Sequence, residues 1–149
     1  MKPFSLQPVI DLMQTRTDEA TRHLAQLIAA EQNARNKFEM LQQYRDEYAL
    51  RFQQAIRQGI DRREWQNYQD FLQRLDEAIT QQSQNVKQQE QHTLTGQQHW
   101  QQQRTKLKAL DTLSERHRAK QITLELRYEQ KMQDEFATHR HYHGAIGQE

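Results

Sequence analysis

The sequence predicts an all-α fold: a long antiparallel two-helix coiled coil (an α-hairpin) in which helix 2 is longer than helix 1. Three observations predict it. The first is a pair of runs of core-type positions spaced alternately three and four residues apart. One run is Met13, Thr17, Ala20, Leu24, Leu27, Glu31, Ala34, Phe38, Leu41, Arg45, Tyr48, Phe52 and Ala55; the other is Trp65, Tyr68, Leu72, Leu75, Ile79, Gln82, Val86, Gln89, Thr93, Gly96, Trp100, Gln103 and Leu107. Facing residue numbers keep a constant total, so the second run mirrors the first and two narrow stripes can fold onto each other. The mirror sets large against small, with Ala20 opposite Trp100, Leu24 opposite Gly96 and Ala55 opposite Trp65, which is how facing positions fill one layer. The second observation is composition: 149 residues with only 34% hydrophobic ones and a mean hydropathy of −1.19 suit a rod rather than a thick core. The third is punctuation. Both prolines, Pro3 and Pro8, lie at the start, and between Pro8 and the tail the only glycines are Gly59 and Gly96, so little interrupts helix formation.

The elements follow in order, as one coiled-coil domain spanning 1–149. Helix 1 is expected over about 9–57 and runs about 70 Å at the α-helical rise. The turn falls at 58–61: Gly59 can take the left-handed conformation that ends a helix, and Asp61 with Glu64 three residues on signals the next N-cap. Helix 2 is expected over about 62–137, followed by a flexible tail at 138–149 that holds Gly144 and Gly147. Helix 1 then runs out opposite Leu107. The stretch from Lys108 to Ala137 has no partner within the chain, although it carries Leu110, Leu113, Ile122, Leu124, Leu126, Tyr128, Met132 and Phe136, and an exposed apolar stripe of this kind marks a binding surface. The middle of the seam is polar, with Gln82, Gln89, Thr93 and Gly96 in a tract where about half the residues are Gln. Polar seam residues weaken a coiled coil but hold its register. Arg45 faces Leu75 and is expected to extend its charge to solvent.

Charge and chemistry exclude more than they propose. The 21 Lys+Arg are interspersed with 20 Asp+Glu and form no phosphate-tracking face, so no nucleic-acid partner is expected. The absence of cysteine removes disulfides and thiol chemistry. No apolar stretch approaches the roughly 20 residues that span a bilayer, and Met1–Ile10 lacks the apolar centre of a signal peptide, so a cytoplasmic location is expected. No phosphate loop, metalloprotease motif or serine elbow occurs. His92 and His99, seven apart, and the alternating His139, His141 and His143 have spacings that metals can use. No carboxylate or thiolate completes a site, so neither a metal, a cofactor nor a catalytic residue is expected, and the chain is expected not to be an enzyme.

Specific residues carry a resemblance. Tyr44, Arg45, Asp46, Glu47 and Tyr48, then Trp65, Gln66, Asn67, Tyr68, Gln69, Asp70 and Phe71, then Leu75, Ala78 and Ile79, resemble the flagellar export protein FliJ family; so do Trp100, Arg104, Leu107, Leu113, Arg116 and the run Gln130, Lys131, Met132, Asp134, Glu135, Phe136 and Ala137. The match covers roughly residues 40 to 137. The resemblance implies a cytoplasmic component of the flagellar type III export apparatus, peripherally associated with the inner membrane. It implies a stalk-like coiled coil that engages the hexameric ring of the export ATPase FliI, contacts the export gate protein FlhA and binds flagellar export chaperones. The family's gate contact falls on Phe71, Leu75, Ala78 and Gln82, and the partnerless stretch with Leu110, Leu113, Leu124, Tyr128, Met132 and Phe136 is then the end expected to enter the ring. The competing reading is a structural or adaptor coiled coil, such as the equivalent stalk protein of a virulence type III secretion system.

Overall fold

The computed structural model describes residues 5–146. They form two helices, α1 (Gln7–Gln58) and α2 (Arg62–Ile146), packed antiparallel against each other, with no strand among the described residues. α1 begins earlier than the sequence predicts. The Ser5 hydroxyl accepts the Gln7 amide N–H at 3.2 Å, and Pro8 sits in the first turn, where its missing N–H leaves nothing unsatisfied. α2 ends later than predicted: it is helical to Ile146, where the sequence reading places a tail from 138. No proline interrupts this stretch, the Thr138 hydroxyl donates to the Asp134 carbonyl at 2.9 Å, and the Arg140 guanidinium lies 5.6 Å over the Phe136 ring. The end of the expected tail, including Gly147, lies outside the described residues.

The turn is built as its residues dictate. Gly59 has φ of +88°, a conformation that only glycine adopts without strain. Its N–H donates to the Ile56 carbonyl at 3.2 Å. Asp61 caps α2, its Oδ1 accepting the Glu64 amide N–H at 2.8 Å.

The contacts divide the chain into two units, with Thr15 and Arg104 at the boundary. The unit Arg16–Gln103 contains the turn and most of the seam. Every position of the mirrored pattern in it is buried or half-buried except Trp65, and Thr17, Ala20, Ala34, Leu75, Gln82, Val86 and Gln103 are its most enclosed side chains. Near the turn the seam is aromatic: the Tyr48 ring lies 5.2 Å from Tyr68 and 4.2 Å from Phe71. Phe52 sits 5.2 Å from Tyr68 and 6.5 Å from Trp65, tilted contacts of the kind aromatic pairs prefer. Farther along, the seam is held by polar bonds to backbone. Gln82 Nε2 donates to the Ala34 carbonyl at 2.9 Å and the Thr93 hydroxyl donates to the Leu27 carbonyl at 3.3 Å. Gly96 is buried, and a Cβ there would collide with Leu27 Cδ1, so the Leu27 side chain occupies the space that a larger residue would need.

In the other unit the start of α1 meets the stretch of α2 after Arg104. Met13 is buried, and Leu6, Ile10, Leu107, Leu110 and Ser114 are half-buried. Extending the mirror sets Ile10 opposite Leu110 and Leu6 opposite Ser114. The burial of these residues corrects the sequence reading, which closes the pairing at Met13 and Leu107: the part of α2 with no facing segment of the chain begins after Ser114, not at Lys108.

Candidate interaction surfaces

Beyond Ser114, α2 presents an apolar surface. From Glu115 to Tyr142 every side chain is exposed except the half-buried Gln121. Of the six residues predicted to enter a ring, Leu110 belongs to the paired part, whereas Leu113, Leu124, Tyr128, Met132 and Phe136 are all exposed, Tyr128 by 65% and Phe136 by 64%. Ile122 and Leu126 add to this surface. Scattered apolar residues are normal on a protein surface, but this many large ones along one helical segment is what binding surfaces show.

The four residues predicted for a gate contact separate into two pairs. Leu75 and Gln82 are buried, with Gln82 bonded to the α1 backbone. Phe71 is 41% exposed and Ala78 half-buried. The accessible edge of Phe71 opens into a groove of about 370 Å³ lined by Tyr44, Glu47, Tyr48, Arg51, Phe71 and Leu75. Phe71 thus packs on Tyr48 while part of it faces solvent. The α1 side of the groove, Tyr44 with Arg51, escaped the sequence reading. Its signal was available: Tyr44 stands one residue off the seam position Arg45, where a large aromatic cannot be enclosed.

Charges on this unit bridge the helices. Arg45, expected to be solvated, has a partner: its Nε donates to Asp76 Oδ1 at 2.8 Å. Arg35 Nη2 contacts Glu90 Oε1 at 2.6 Å and Glu31 Oε1 at 3.7 Å. The Trp100 indole N–H donates to the Thr21 hydroxyl at 2.9 Å, which donates in turn to the Thr17 carbonyl. Among the described residues no group of three or more His, Asp or Glu side chains is arranged to hold a metal ion, and no described helix is long and apolar enough to cross a membrane.

Comparison with known proteins places this geometry. A family model described as flagellar FliJ protein matches residues 1–145. The flagellar FliJ protein of Escherichia coli K12 is 33% identical over 133 residues, covering 89% of this chain and 90% of that protein. The protein of the same description from Salmonella typhi is 32% identical over 133 residues with the same coverage, 89% and 90%. Among solved structures, CT670 of Chlamydia trachomatis, described as a YscO homolog, covers 95% of this chain and 96% of its own at 19% identity, with a TM-score of 0.46.

Proposed function

The chain belongs to the flagellar FliJ protein family, and from that premise we propose that it is a non-enzymatic, stalk-like partner and activator of the export ATPase FliI in the flagellar type III export apparatus. It works at the cytoplasmic face of the inner membrane, contacts the gate protein FlhA and binds flagellar export chaperones. The observation that carries the reading is the exposed apolar surface of α2 beyond Ser114, with Leu124, Tyr128, Met132 and Phe136, adjoined by the exposed Leu113. A helix that has lost its partner while keeping large apolar side chains is suited to insertion between other subunits, because burial there recovers about 25 cal/mol for each Å² of apolar surface removed from water.

The test is ATP hydrolysis by the cognate ATPase, titrated with the full chain and with a chain stopped after Ser114. Stimulation by the full chain alone supports the ring assignment. Equal stimulation by both would move the ATPase contact to the paired helices, and no stimulation by either would leave the adaptor reading in its place.

For the gate contact, we place the centre at Phe71, with Ala78 beside it on α2 and Tyr44 across the groove on α1. Leu75 and Gln82 act from beneath, by holding α2 against α1. Replacing Phe71 by Ala is expected to weaken binding to the gate protein while circular dichroism stays helical; a collapse of helicity would assign Phe71 to the seam alone.

A further inference from the structure

The turn and the helix ends that flank it carry side chains that a chain reversal does not require. Ile56 near the end of α1 and Trp65 near the start of α2 are exposed large apolar side chains, with Ile60 half-buried in the turn between them. The Trp65 ring lies 6.5 Å from that of Phe52 on the seam and leaves 40% of its surface in solvent. Exposed Arg57, Arg62 and Arg63 surround these residues, and Arg51 stands farther back on α1. The acidic residues here are Asp61 and Glu64. Asp61 is engaged as the cap, its carboxylate accepting the Glu64 amide at the start of α2, where the positive end of the helix dipole offsets its charge. Glu64 lies in that same first turn.

We propose that the turn with its flanking helix ends, residues 56–65, is a contact site for an anionic membrane surface. Arg57, Arg62 and Arg63 meet the lipid headgroups, while Ile56, Ile60 and Trp65 enter the interfacial layer. Two features favour lipid over an acidic protein surface. Ile56 and Trp65 are exposed on the helix ends beside the turn and do not line the groove at Phe71, which fits a deformable surface better than a shaped one. The indole of Trp65 adds an amphipathic ring of the type enriched at headgroup depth, beside arginines that an anionic leaflet attracts. Nothing crosses the bilayer, in keeping with the absence of a membrane-spanning helix among the described residues. Contact through so few groups is weak and falls with salt. This proposal does not rest on the ATPase or gate contacts, and its failure would leave both untouched.

The chain holds two tryptophans, Trp65 and Trp100, so the full chain with Trp100→Phe reports from Trp65 alone. Its emission is measured on titration with phosphatidylglycerol/phosphatidylcholine vesicles and with phosphatidylcholine vesicles, and flotation of the unaltered chain on both provides a second readout. The expected result is a blue shift and flotation with the anionic vesicles only, reversed by high salt. The triple variant Arg57→Gln, Arg62→Gln, Arg63→Gln, shown to be helical by circular dichroism, should lose apparent affinity by about tenfold or more. Absence of both signals on anionic vesicles, equal flotation on neutral ones, or unchanged affinity in the triple variant would overturn the proposal. So would failure on vesicles together with arginine-dependent binding to polyglutamate, which would make the turn a site for an acidic protein.

Discussion

At the scale of single residues, the two buried glutamines of the seam make opposite predictions. Gln82 is bonded, its Nε2 reaching the Ala34 carbonyl. In Gln103 the buried Oε1 has no hydrogen-bond donor, and an unsatisfied buried acceptor carries a desolvation penalty of about 1–3 kcal/mol. Gln103→Leu should therefore raise the thermal midpoint by circular dichroism. Gln82→Leu should change it far less, because the gain in apolar burial is offset by a lost bond that also fixes register. Gly96 gives a third comparison. In Gly96→Ala the new methyl displaces one terminal atom of Leu27, and the ~1 kcal/mol of helix propensity gained offsets the disturbance. In Gly96→Leu there is no such offset, and overpacking should destabilise by about 1–3 kcal/mol in chemical denaturation. These positions were legible in the sequence because a strict alternation of three and four residues admits one facing arrangement. Arg45 and Asp76 were not read as a pair, since Asp76 stands one residue off the mirrored seam and only side-chain geometry brings the two charges together.

At the scale of elements, the turn concentrates what local chemistry can specify. Gly59 at φ +88° predicts that Gly59→Ala is destabilising by about 1–2 kcal/mol, since an L-residue in the left-handed region brings its Cβ against the carbonyl. The open space around Gly59 makes this a backbone effect rather than a packing one. Asp61→Ala should cost about 1 kcal/mol through the lost cap, with Asp61→Asn retaining most of it; equal loss in both would point to charge rather than the cap. Turn and cap were readable because glycine and aspartate signal them directly. The outer helix ends were not. Pro8 suggests a helix that starts after it, although the first turn tolerates proline, and Gly144 and Gly147 suggest a flexible tail from 138, although one glycine costs a helix only ~1 kcal/mol. Closing the mirrored run at Met13, although Ile10 and Leu6 continue its spacing, set the end of pairing at Leu107 rather than Ser114 and placed Leu110 on the wrong side of it.

At the scale of the whole molecule, stability cannot be uniform, because α2 passes from a paired seam to a stretch with exposed side chains. Within Arg16–Gln103 opening a helix removes seam contacts, cross-helix bonds and the aromatic cluster together. From Glu115 onward the helix is maintained by propensity and local pairs such as Arg140 over Phe136, whereas most helical stability in proteins comes from tertiary packing. Native-state hydrogen exchange should therefore show amides of 115–142 exchanging orders of magnitude faster than those around Ala34, Leu75 and Val86. If Leu124, Tyr128, Met132 and Phe136 form the surface that the ATPase ring encloses, adding the ring should slow exchange in this stretch selectively. Slow exchange there in the free chain would mean that a second copy already covers the surface, and a dependence on protein concentration would identify it. Fast exchange that the ATPase leaves unchanged would remove this stretch from the ring contact, even if hydrolysis were stimulated. The exchange profile thus separates where the partner binds from whether it is activated, which the hydrolysis assay alone does not.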